Sequence, residues 1–146
     1  MTRPMPNSRS DYVVFQTITT RWFDNDIYGH MNNAVHYQLF DTAVNGHLMS
    51  AGVLELKTSP SVFLVVQTSC DYFGEMAFPD LVTAGVRVAH LGKSSVTYDI
   101  GLFRNDAVEV AAQGQFVHVN VDRETRKSVP IGDDARRVLT AMRTDI

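Results

Sequence analysis

One stretch of the chain limits its fold more than any other. Asn33–Ala51 holds no proline, carries a single internal glycine, Gly46, and stops at Gly52, a residue suited to ending a helix. Its apolar members (Ala34, Val35, Tyr37, Leu39, Phe40, Ala43, Val44, Leu48 and Met49) cover more than one narrow stripe. The spacing therefore predicts a helix largely buried against a sheet. No other segment offers a helix of comparable length, so any sheet made by the rest of the chain must curl around this one.

The remaining segments read as strands. Tyr12–Phe23, β-branched and aromatic without a breaker, precedes the helix. After it come Ser61–Met76, rich in Val, Phe and Leu, and Asp80–Leu91, which alternates cleanly. Ser94–Arg104 and Val108–Val121 follow, with Asn105-Asp106 as a hairpin turn between them. Asp122–Lys127 reads as a charged turn, and Gly132–Arg143 as a short amphipathic helix or a frayed tail. A strand, a long helix and then consecutive strands on short turns give an α+β domain with a mainly antiparallel sheet of about five strands.

Composition removes several classes of function. At 146 residues, 45% hydrophobic and 20% charged, the chain is sized for one soluble domain. A formal net charge of −3 provides no global field for nucleic acid or an anionic membrane. No segment approaches the roughly 20 apolar residues that span a bilayer, and the N-terminus lacks the apolar core of a signal peptide. Residues 1–10, rich in Pro, Ser, Asn and Arg, read as a flexible arm, and residues 11–146 as a single domain. The lone Cys70 cannot form an internal disulfide and lies in an apolar run, which favours a buried, inert thiol over a nucleophile. No Cys/His cluster suggests structural zinc. The expectation is a cytoplasmic protein with no cofactor, no metal, and no nucleic-acid or membrane partner.

Chemistry is concentrated between strand and helix, where residues 21–33 read RWFDNDIYGHMNN. Asp24 and Asp26 share a face if the first strand continues through them, and neighbouring carboxylates can raise one pKa. Equally, Asp and Asn are favoured on the approach to a helix for their local hydrogen bonds. His30 has three open readings: a partner orienting Asp26, a metal ligand with both aspartates, or a structural histidine at the helix start. The metal reading lacks a third or fourth ligand nearby. A helix N-terminus adds unpaired N–H groups and a partial positive charge, suited to a reaction that builds a negative oxygen.

The segment RWFDNDIYGHMNNAVHYQLFD at 21–41 resembles the signature of hotdog-fold acyl-CoA thioesterases of the 4-hydroxybenzoyl-CoA thioesterase type. The resemblance continues through Lys93-Ser94-Ser95 and FVHVNVDRETRKSVPI at 116–131, covering residues from about 12 to 131. It implies an antiparallel sheet of about five strands wrapped around one central helix, and hydrolysis of acyl-CoA to a carboxylic acid and CoA. By this resemblance Asp26 is the catalytic carboxylate, acting as general base or as nucleophile, and the Asn33 N–H polarises the thioester carbonyl. Asp24 supports the crossover, Gly29, His30 and Asn32 fix its loop, and Tyr28 narrows access. Tyr37 and Asp41 on the helix face the acyl pocket or form a buried pair. Phe40, Phe63, Phe73 and Met76 suit an acyl cavity or a plain core. Lys93, Ser94 and Ser95 would meet the phosphates of CoA, with Arg123, Arg126 and Lys127 as a second cation cluster. The family's habit implies a homodimer or homotetramer with sites at the subunit interface. Two rivals remain: a hotdog enoyl-acyl hydratase or dehydratase, which spaces its Asp and His differently, and a non-catalytic acyl-CoA binding module, which has no need of Asp26.

Overall fold

The strands β1 (Val14–Thr19), β2 (Ser61–Tyr72), β3 (Leu81–Leu91), β4 (Ser95–Arg104) and β5 (Ala112–Asp122) form one antiparallel sheet in the order β1-β3-β4-β5-β2. The structure is a computed structural model, and it describes residues 4–144. The sheet wraps around α1 (Val35–Ser50), the one long helix among the described residues, and a short α2 (Asp133–Thr140) closes one end. This is the hotdog arrangement.

Strand periodicity explains the core. Val82, Ala84, Val86 and Val88 of β3 and Val96, Tyr98, Ile100 and Leu102 of β4 point inward at every second position. They meet Leu39, Phe40, Ala43, Val44 and Leu48 of α1 in one continuous cluster. The helix stops at Gly52, whose φ of +76° only glycine adopts readily. The C-terminal segment is a helix rather than a frayed tail: Asp133 and Asp134 sit favourably in its first turn, and Leu139 with Met142 joins the core.

Four expectations need correction, the first being that β5 begins at Ala112 rather than Val108, so that Asn105-Asp106 opens a longer connection over 105–111. β1 ends at Thr19 rather than Phe23, because Trp22–Asp24 tightens into a 3-10 turn. β2 ends at Tyr72 rather than Met76, where the N–H groups of Phe73 and Gly74 both turn to the Ala111 carbonyl, at 2.8 and 2.9 Å. Residues 1–3 of the N-terminal arm lie outside the described residues, and from Met5 onward the arm is hydrogen-bonded to the sheet. Asn7 N–H donates to Gln113 Oε1 at 2.7 Å, and Gln113 Nε2 donates to the Met5 carbonyl at 3.0 Å. The Tyr12 ring then lies on the outer face in a notch left by Gly85 and Gly101, which pair across β3 and β4.

Cys70 is half-buried, and burial pushes its thiol up to about 11, so it is unreactive at neutral pH. Its cross-strand partner, Gly114, sits where there is no room for a side chain. A Cβ there would collide with the Ser69 carbonyl oxygen and come within 2.9 Å of the Phe40 ring. Gly114→Ala is expected to push β2 outward and cost about 1–3 kcal/mol, a typical overpacking penalty. Thermal unfolding should show Tm falling by on the order of 5 °C. An unchanged Tm would mean the strand yields freely.

Candidate active site

Leaving β1, the chain is anchored before it reaches the helix. The Thr20 hydroxyl donates to the Asp80 carbonyl at 2.6 Å. Asp24 is buried, and its carboxylate accepts the Arg21 N–H at 2.7 Å and the Arg21 guanidinium at 3.0 and 3.2 Å. Its main-chain carbonyl accepts the Asn32 N–H at 2.8 Å, closing the base of the crossover loop. Asn25 Oδ1 accepts the Phe78 N–H at 3.0 Å, and Met31 N–H donates to the Met76 carbonyl at 2.6 Å. Both ends of the loop are thereby fixed to the segment joining β2 and β3.

The loop tip carries Asp26. Its N–H donates to the His30 carbonyl at 2.9 Å, and its Oδ1 accepts the Tyr28 N–H at 2.8 Å. Gly29 makes the turn with φ of +86°; a Cβ would meet nothing there, so backbone conformation alone calls for glycine. His30 Nδ1 lies 3.1 Å from the Met31 carbonyl and 4.0 Å from the Asp26 carboxylate. The Met31 carbonyl raises the pKa of His30 above its usual value, burial opposes it, and Asp26 and Glu75 add to the rise.

Asp24 and Asp26 do not form a carboxylate pair on one strand face. The 3-10 turn directs Asp24 inward onto Arg21 and leaves Asp26 at the loop surface beside His30. With Asp24 so engaged, the two aspartates and His30 do not converge, and no three His, Cys, Asp or Glu side chains among the described residues form a possible metal-ligand set.

At the start of α1, three of four successive N–H groups are satisfied. Asn32 donates to Asp24 O, Ala34 to Asn32 Oδ1 at 2.9 Å, and Val35 to Asn32 O at 2.9 Å. The Asn33 N–H has no acceptor among the described residues. Asn33 lines a cleft of about 200 Å3 together with His30, Met31, His36, Tyr72, Gly74, Glu75 and Met76. Tyr72 reaches in from β2 and donates its hydroxyl proton to the Asn33 carbonyl at 2.7 Å, which braces the helix start. Burial, with Cys70 and Tyr37 beside it, raises the pKa of that hydroxyl.

His36 and Tyr72 were missed by the sequence analysis. The position of His36, three residues after Asn33 and so on the same side of the helix, was a usable signal. Tyr72 gave none, because only the sheet brings it to the helix start.

The other candidates scatter. Tyr28 is exposed, its ring stacked along His30 with centroids 6.3 Å apart. Tyr37 packs edge-on to Phe40, which is core, while Asp41 is exposed and held by Asn45 Nδ2 at 2.7 Å, so the two do not form a buried pair. Met76 lines the cleft, Phe63 stacks on His118, and Phe73 joins an outer-face cluster with Tyr12.

Lys93 and Ser94 lie between β3 and β4 and Ser95 opens β4, whereas the crossover leaves β1 beside Leu81, at the other end of β3. An 11-residue strand separates them, on the order of 30 Å. Arg123 is occupied by the carbonyls of Ser59 at 2.7 Å and Leu56 at 2.8 Å, which leaves Arg126 and Lys127 exposed. A larger cleft of about 390 Å3, lined in part by Leu54, Phe63, Asn120 and Ala135, opens at this far end.

Comparison with known proteins places these features in context. Residues 20–139 match the thioesterase-like superfamily. The PA5185 protein of Pseudomonas aeruginosa strain PAO1 is 45% identical, with a TM-score of 0.94 over 97% of this chain and 99% of its own. Slr0204 of Synechocystis, a 1,4-dihydroxy-2-naphthoyl-CoA thioesterase, shares the fold at 17% identity and a TM-score of 0.78, over 86% of this chain and 94% of its own. Protein YsmA of Bacillus subtilis (strain 168) is 23% identical over 93% of this chain and 91% of its own.

Proposed function

The chain belongs to the thioesterase-like superfamily and is a thioester hydrolase; on that premise we propose that it cleaves an acyl-CoA to the free acid and CoA at the cleft where Asp26 approaches the start of α1. The observation that carries this reading is the Asn33 N–H, a donor without an acceptor among the described residues, on a residue that lines a cleft with His30, whose ring lies 4.0 Å from the Asp26 carboxylate. A thioester carbonyl placed on that donor has its developing negative charge stabilised by a fixed dipole and by the positive end of the helix. Asp26, held by the Tyr28 N–H, takes the proton of an attacking water as the new C–O bond forms. Collapse of the tetrahedral species breaks the C–S bond, and the thiolate leaves to gain a proton. Direct attack by the carboxylate through a mixed anhydride uses the same geometry.

A second copy of the chain completes this reading. β2 is a 12-residue edge strand with Leu64, Val65 and Val66 exposed, and nothing among the described residues covers it. Antiparallel pairing of two β2 strands about a two-fold axis brings the partner's Ser61 end to the Tyr72 end, where the cleft lies. The partner subunit's Lys93–Ser95 turn adjoins that Ser61 end, since the Ser94 carbonyl accepts the N–H of Asn120, which pairs with Phe63. The phosphates of CoA would then be held by the neighbour. Among the described residues no helix is long and apolar enough to cross a membrane, and a CoA thioester substrate fits a cytoplasmic location.

A panel of acyl-CoAs assayed with a thiol reagent tests the proposal; no CoA release from any of them would reject it. Because the groups invoked are a main-chain donor and a carboxylate, exhaustive treatment with EDTA is expected to leave the rate unchanged. Loss of activity restored by a divalent ion would instead indicate a metal-assisted hydrolysis.

A further inference from the structure

We infer that Tyr72 is a positioning residue for the hydrolysis: its hydroxyl, delivered from the end of β2, holds the backbone at Asn33, the residue whose N–H is to polarise the thioester carbonyl. The inference rests on the hydrolase reading above and assigns that reading a further residue.

The donor sits between two sets of ties. On its N-terminal side the ties are main-chain bonds, Met31 N–H to the Met76 carbonyl at 2.6 Å and Asn32 N–H to the Asp24 carbonyl at 2.8 Å. On the other side of the Asn33 Cα, the Tyr72 hydroxyl donates to the Asn33 carbonyl at 2.7 Å. Ala34, at the N-cap of α1, supplies no side-chain cap, and no acidic residue lies in the first turn. A helix start of this kind depends on bonds from outside the helix to keep its geometry. Of these ties, only the one from Tyr72 is made by a side chain.

Tyr72 is itself stiffly mounted. It pairs with Ala112 of β5, and the next two N–H groups, of Phe73 and Gly74, both donate to the Ala111 carbonyl. Its ring meets His36 edge-on, with centroids 4.7 Å apart and an interplanar angle of 84°. A phenyl ring would make the same contact, so removing the hydroxyl alone leaves the packing in place. Burial above all, with Cys70 and Tyr37 beside it, raises the pKa of the hydroxyl, which therefore remains a proton donor at neutral and alkaline pH.

The consequence for the reaction is one of aim. A fixed donor accelerates the step only if it points to where the negative oxygen develops, and a displacement of about 1 Å can cost on the order of 10² in rate. Tyr72 is not the sole hold on that carbonyl. Burial lowers the pKa of His36, and the Asn33 and Asn32 carbonyls oppose the fall as hydrogen-bond partners of its ring. Loss of the Tyr72 bond should therefore loosen the donor without releasing it.

The test is Tyr72→Phe, assayed well below its Tm with the acyl-CoA that wild type cleaves fastest. We expect kcat to fall about five- to tenfold. KM should stay within about twofold of wild type, because the donor acts on charge that develops only in the transition state. The pH profile should keep its shape. Wild-type kcat in Tyr72→Phe, with or without a lower Tm, would overturn the inference, as would a rise in KM alone. Loss of one limb of the pH profile would put the hydroxyl on the reacting atoms and equally overturn a positioning role. Each of these results leaves the hydrolase reading intact, whereas no CoA release by wild type from any acyl-CoA would overturn both.

Discussion

Asp26→Asn is expected to lower kcat by about 10²–10⁴, the usual contribution of a positioned general base, without a change in Tm. The amide cannot take a proton from water or attack a carbonyl. It can still accept the Tyr28 N–H, the hydrogen bond that fixes the Asp26 side chain, so the loop keeps its shape. Asp24→Asn should behave in the opposite way. Its buried carboxylate accepts three bonds from Arg21, and weakening them is expected to cost about 1–2 kcal/mol while kcat falls far less. Steady-state kinetics and thermal unfolding of the two variants separate the roles. Equal loss of kcat in both, or near-normal turnover in Asp26→Asn, would remove Asp26 from the mechanism.

Mixing two impaired variants should restore activity that neither has alone. Within one subunit Lys93 lies the length of β3 from the crossover, so a site using both Asp26 and Lys93 must draw them from different chains. Lys93→Glu is expected to raise KM at least about tenfold through loss of a charged phosphate contact. In a mixed dimer of Asp26→Asn and Lys93→Glu, one site holds both lesions and the other holds neither. An equimolar, freely exchanging mixture should therefore reach about a quarter of wild-type activity at low substrate, since half of its dimers are mixed. No recovery after demonstrated exchange, or a fully active monomer by sedimentation at micromolar concentration, would defeat the shared-site arrangement.

The fold was legible because its determinants are local. The apolar spacing of residues 33–51, the alternation in β3, the turn at Asn105-Asp106 and the stop at Gly52 each report on a few neighbouring residues, and each reappears in the structure. The errors lie where a specific side-chain contact, one local and one distant, overrides the preference of the segment. Residues 20–23 have strand character, yet the capture of Arg21 by Asp24 winds them into a 3-10 turn. The arm reads as loose by composition, but Gln113, more than a hundred residues away, holds it to the outer face.

For the candidate site, the sequence by itself pointed to a carboxylate and a histidine on a loop that opens the long helix. That much follows from contiguous residues, because a helix start and its approach are local structures. Only the tertiary structure decided which groups are available. It turned Asp24 onto Arg21 and left Asp26 at the loop tip. It left the Asn33 N–H without an acceptor among the described residues, set Tyr72 against His36, and placed Lys93 at the far end of the sheet. The physical reason is that side-chain direction and strand register emerge only when segments far apart in the chain pack together, and periodicity within a segment carries no record of which neighbour it will meet.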